Sequence, residues 1–150
     1  MLQFIGACAA AFAACFAYSL VVNIRGRMLV LAPLGAALCW LVYLACLPYF
    51  EELLCCFFAT LAVSVYAEVM ARVNRAPATG FLLVGLLPLV PGGGIYYTME
   101  YGINGDTINF LQTGLHTFGI AGSLALGVLV VSSIVRFYHV VRRKGKPGSC

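Results

Sequence analysis

The chain has 150 residues, of which 63% are hydrophobic and 9% charged, and its mean hydropathy is +0.99. A soluble domain carries about 25% charged residues, so most of this chain turns away from water and its relevant solvent is lipid. Its net charge of +4 comes from short basic clusters between apolar runs, a pattern that marks membrane topology and excludes a nucleic-acid-binding surface.

Crossing a bilayer as a helix takes about 20 mostly apolar residues. Five stretches qualify: residues 2–22, 28–47, 53–71, 78–98 and 110–138. The expected fold class is an all-α membrane protein with five transmembrane helices, the fourth broken between Pro88 and Gly94. The first stretch has no basic region before it and is followed by Arg25 and Arg27. It therefore reads as a retained anchor with its N-terminus outside, not as a cleaved signal. The last stretch is long enough to tilt or to include an interfacial turn.

Charges between the stretches alternate in sign. Arg25 and Arg27 fill the first loop, Glu51 and Glu52 the second, Arg72 and Arg75 the third, Glu100 and Asp106 the fourth. Arg136, Arg142, Arg143, Lys144 and Lys146 close the chain. Five spans put all nine Lys and Arg on one side, which the positive-inside rule assigns to the cytoplasm together with the C-terminus. Residues 142–150 read as a disordered basic cytoplasmic tail beyond a membrane domain covering 1–141.

Six of the seven cysteines (Cys8, Cys15, Cys39, Cys46, Cys55, Cys56) lie in apolar stretches, where a free thiol behaves as a small hydrophobe. No Cys-x-x-Cys occurs, so neither a metal site nor a disulfide framework is expected, and no cofactor.

The fourth stretch carries the chemistry. Pro88 and Pro91 each remove a backbone donor, and Gly92, Gly93 and Gly94 follow at once. Such a break survives in a membrane only when packed in protein or facing a watery cavity. A helix restarting near Gly93 would aim free N–H groups and a positive dipole end at a substrate carboxylate. A simple kink with glycines packed on a neighbour is the alternative.

Polar residues gather around it. Tyr96, Tyr97 and Thr98 follow directly. Asn109, Gln112, Thr113 and His116 recur at helical spacing on the fifth stretch, and Gly119, Ser123 and Gly127 continue that face as a small-residue stripe. This places the polar run toward the bundle interior. His116 is a candidate proton-coupling group, since an imidazole changes charge near physiological pH; a hydrogen bond between helices is the alternative. Glu68 is a second candidate, although Glu68 and Arg72 also have the favoured spacing for an intrahelical ion pair. The expected substrate-binding set is Pro91, Gly92, Gly93, Gly94, Tyr96, Tyr97, Thr98, Asn109, Gln112 and Thr113. No nucleophile, phosphate-binding or paired-carboxylate motif is present, so an enzyme is not expected.

The stretches Tyr66-Ala-Glu68-Val-Met-Ala-Arg72, Arg75-Ala-Pro77-Ala-Thr79 and Leu87-Pro88-Leu-Val-Pro91-Gly92-Gly93-Gly94-Ile-Tyr96-Tyr97-Thr98-Met99 resemble the threonine/serine exporter family. They are most similar to its small five-span subunits, which correspond to the C-terminal membrane half of full-length members. The resemblance implies export of a small polar metabolite across the bacterial inner membrane, with threonine and serine as type substrates and dicarboxylates such as succinate in some split members. It also implies a larger partner subunit bearing a soluble domain and further spans, or a homo-oligomer.

Overall fold

The computed structural model describes residues 2–144, with side chains described over 6–138 and at 140 and 141. Among the described residues all regular structure is helical: α1 (Leu2–Val21), α2 (Met28–Cys46), α3 (Glu52–Asn74), α4 (Ala78–Leu86), a 3₁₀ turn at Leu87–Leu89, α5 (Gly92–Ile103) and α6 (Thr107–Lys144). Three helices are long and apolar enough to cross a membrane: Met28–Cys46, Glu52–Asn74 and Thr107–Tyr138. The pair Ala78–Leu89 and Gly92–Ile103, bent by 55° at the break, makes a fourth if counted as one span. The described apolar part of α1, Gly6–Val21, is shorter. Helix α6 begins before and ends after the stretch expected from hydropathy. Residues 145–150 of the expected tail lie outside the described residues.

Small side chains set the helix spacing. Ala32, Ala36, Cys39, Cys55, Ala59, Val63, Ala67 and Phe81 are fully buried. Without a hydrophobic driving force between lipid-exposed helices, close backbone approach supplies the packing energy, and Ala, Gly and Cys permit it. The buried cysteines Cys15, Cys39, Cys55 and Cys56 are all free thiols, filling the core as small residues.

Contacts fix the directions of the helices. Tyr66 Oη donates to the Leu31 carbonyl at 2.8 Å, and the Cys39 thiol to that of Ala59 at 3.7 Å, so α2 and α3 run antiparallel. Gly80 meets Met28 and Gly85 meets Gly35, so α2 and α4 run parallel. Gly119 lies against Leu53 and Gly127 against Thr60, so α3 and α6 also run parallel. Gly94 faces Thr117, Thr98 faces Gly114, and Gly102 faces Phe110, which makes α5 and the start of α6 an antiparallel hairpin.

Candidate functional site

The break is built as its prolines dictate. Pro88 sits within the 3₁₀ turn, and Val90 leaves it in an extended conformation. Pro91 then precedes α5, whose first helical bond runs from the Ile95 N–H to the Pro91 carbonyl at 3.1 Å. The Gly92 N–H is taken by the Val90 carbonyl at 2.7 Å. No side chain caps α5, and the Gly93 and Gly94 amides have no backbone acceptor among the described residues. The helix thus restarts with donors free for a ligand or water.

Two cavities adjoin this restart, sharing Val90 and Pro91. The larger, about 580 Å³, is lined by Ile95, Met99, Phe110, Phe118, Leu124 and others. Its hydroxyls, on Thr98 and Thr117, already donate to the Gly94 and Thr113 carbonyls at 2.7 Å each. Such a wall suits hydrocarbon, not a polar solute. The smaller, about 150 Å³, is lined by Trp40, Tyr43, Glu52, Cys56, Ile120 and the run from Pro88 to Pro91. This one carries a carboxylate, that of Glu52.

Glu52 is the charged residue on that wall. Its Oε2 stands 3.4 Å from His116 Nε2, both side chains about half exposed. Tyr43 lines the same cavity, and the Trp40 ring stacks on it with centroids 5.2 Å apart. One Glu–His contact therefore ties α3 to α6 beside the break, with α2 supplying a phenol and an indole.

The residues expected at the site divide into groups. Pro91 lines both cavities, Thr98 lines the apolar one, and Gly94 packs on Thr117. Gly92 and Gly93 face open space. Tyr96 and Tyr97 stack edge-on with centroids 5.4 Å apart and are largely exposed, away from either cavity wall. Asn109 is taken by Asp106, its Nδ2 donating to Oδ2 at 2.6 Å, and Gln112 is exposed. Thr113 accepts from Thr117 through its carbonyl. The structure thus brings neither Asn109 nor Gln112 to the break. Farther along the same helix, Gly119 and Gly127 do pack closely, on α3. Glu68 is likewise apart, paired with Arg72 at 3.8 Å one helical turn away.

Glu52, Tyr43 and Trp40 are the residues that sequence reasoning missed. Hydropathy and charge put Glu52 in the second loop, yet it opens α3. The signal was available: five spans make the third and fifth parallel, which puts the start of α3 level with the upper part of the last helix. Trp40 and Tyr43, three apart, share one face of α2.

An apolar helical bundle with three helices long enough to cross a bilayer, and a bent pair beside them, has the character of an integral membrane protein. The chain belongs to the threonine/serine exporter family, ThrE, whose model matches residues 7–134. No curated protein and no solved structure matches it.

Proposed function

We propose that this chain is a subunit of a secondary transporter exporting a small polar, carboxylate-bearing metabolite of the threonine/serine type across the bacterial inner membrane. The carrying observation is Glu52, which lines the cavity beside the helix restart and stands 3.4 Å from His116. A zwitterionic amino acid matches both ends of that pair, its ammonium toward the carboxylate and its carboxylate toward an imidazolium or the free Gly93 and Gly94 amides. Glu52 takes the place of Glu68 beside His116 as the coupling carboxylate, because it shares the cavity and Glu68 does not.

The chain crosses the membrane five times, with its N-terminus outside and its C-terminus in the cytoplasm. The parallel run of α3 and α6 supports this count. Between the end of α3 and the start of α6 the chain has to return the full length of α3, and α4 with α5 is the segment that does so. The sign alternation of the loop charges supports the orientation. Gating comes from movement of the α5–α6 hairpin against α2–α4, and assembly with a larger subunit or a second copy completes the pathway.

The test is efflux of labelled threonine, serine and succinate from cells expressing the chain with and without a larger family subunit. Loss of threonine or serine retention supports the reading. Flux of succinate alone moves the cargo to dicarboxylates, and no change under any condition leaves a non-transporting scaffold subunit. Within an active system Glu52→Gln and His116→Ala abolish flux, whereas Asp106→Asn preserves it. Equal losses for Asp106 and His116 would remove the site from this cavity.

A further inference from the structure

Three arginines from two loops distant in sequence meet at one cleft. Parallel pairing of α2 and α4 sets the α1–α2 loop beside the α3–α4 loop. Between them lies a cleft of about 400 Å³ lined by Arg25, Arg27, Met28, Val73, Asn74 and Arg75, with Ala76 at its edge.

Backbone geometry delivers these side chains. Asn23 and Gly26 turn the first loop at φ values of 60° and 71°, and Arg25 Nε donates to Asn23 Oδ1 at 3.0 Å. Arg75 closes α3 at φ 51°, its N–H shared between the Ala71 and Arg72 carbonyls. A long side chain with positive φ is uncommon, and here the turn directs Arg75 toward the first loop's arginines.

No carboxylate lines the cleft. Glu68, the acid within α3 nearest that end, is paired with Arg72. Three like charges around one opening repel one another and attract an anion. The cleft also sits where α2 begins and α3 ends, at the edge of two apolar spans, and Met28 and Val73 give it apolar walls.

We propose that this cleft binds the phosphodiester headgroup of an anionic phospholipid in the adjoining leaflet. Guanidinium forks pair with phosphate oxygens two at a time, and basic pockets between membrane helices hold such headgroups. Topology sorting requires positive charge on one side of the membrane; it does not require arginines of two loops to share a cleft. The apolar walls favour a ligand that carries acyl chains over a soluble anion.

The experiment uses the purified full chain in detergent, with equal amounts of phosphatidylglycerol or phosphatidylcholine, and counts retained lipids by native mass spectrometry. The wild-type chain is expected to retain phosphatidylglycerol several-fold more than phosphatidylcholine. The double variant Arg27→Gln, Arg75→Gln should fall to the phosphatidylcholine level, with Arg25 and the C-terminal cations left to hold orientation. The Arg27→Lys, Arg75→Lys pair should keep a preference, which separates lost charge from lost fold. Equal retention of both lipids by the wild type overturns the proposal, as does undiminished phosphatidylglycerol on the glutamine variant. A final arm adds inorganic phosphate. If phosphate strips the lipid and itself raises the melting temperature, the occupant is a soluble phosphate and the lipid assignment fails. None of these readings depends on transport.

Discussion

The Glu52 carboxylate and the His116 imidazole meet at 3.4 Å across the contact between α3 and α6. Glu52 also lines the cavity that the broken segment walls.

Trp40 makes this pair observable. It is the chain's single tryptophan and lines the same cavity as Glu52. Its emission is expected to change when the contact is broken in the purified chain: Glu52→Gln and His116→Gln should each shift it from wild type, and Glu68→Gln should not. Unaltered emission in both the Glu52 and His116 variants would sever the contact from the cavity.

The three glycines of the break are not equivalent. A Cβ on Gly94 collides with the Thr117 side chain, whereas one on Gly93 meets nothing within 4 Å. Gly94→Ala should destabilise the α5–α6 hairpin by about 1–3 kcal/mol. Gly93→Ala should be neutral or stabilise by up to about 1 kcal/mol. Adding Thr117→Ala to Gly94→Ala should recover most of the loss, so a double-mutant cycle in detergent unfolding reports the contact directly.

Tyr66 tests the α2–α3 seam. Its hydroxyl bonds the Leu31 carbonyl at 2.8 Å, and its ring fills the space beside Gly35. Tyr66→Phe keeps the ring and removes the bond, so a loss of about 0.5–1.5 kcal/mol is expected. Gly35→Ala should cost more, because its Cβ would come within 2.8 Å of that ring. Thermal unfolding of the two variants side by side gives the order.

Glu68→Gln should do little. Its pair with Arg72 joins adjacent turns of one helix at 3.8 Å and is partly exposed, and such pairs contribute about 0.3–0.5 kcal/mol. Flux and unfolding midpoint are both expected near wild type. A large flux loss in Glu68→Gln with Glu52→Gln unaffected would reverse the assignment of the coupling carboxylate.

Much of this was legible from the chain alone. Hydropathy placed α2 and α3 within a residue or so of their ends at Cys46 and Glu52, since a run of apolar residues has one stable form in lipid. Pro88 and Pro91 announced the break, because a missing N–H cannot be repaired by packing. Burial direction was harder. The spacing of Asn109, Gln112 and His116 gave them one face, but periodicity states which residues share a side, never what that side meets. Glu52 and His116 are brought together by the parallel register of α3 and α6, a property of the assembled bundle that no local pattern in either helix encodes.

Helix α6 is 38 residues long, or about 57 Å at 1.5 Å per residue, against a hydrocarbon layer of about 30 Å. It touches α3 at His116, Gly119 and Gly127, and Val131, one turn farther on, is still buried. Nine residues precede His116 and thirteen follow Val131 to Lys144, about 14 and 20 Å of helix. That excess at both ends is enough to carry the rod past the hydrocarbon layer on either side.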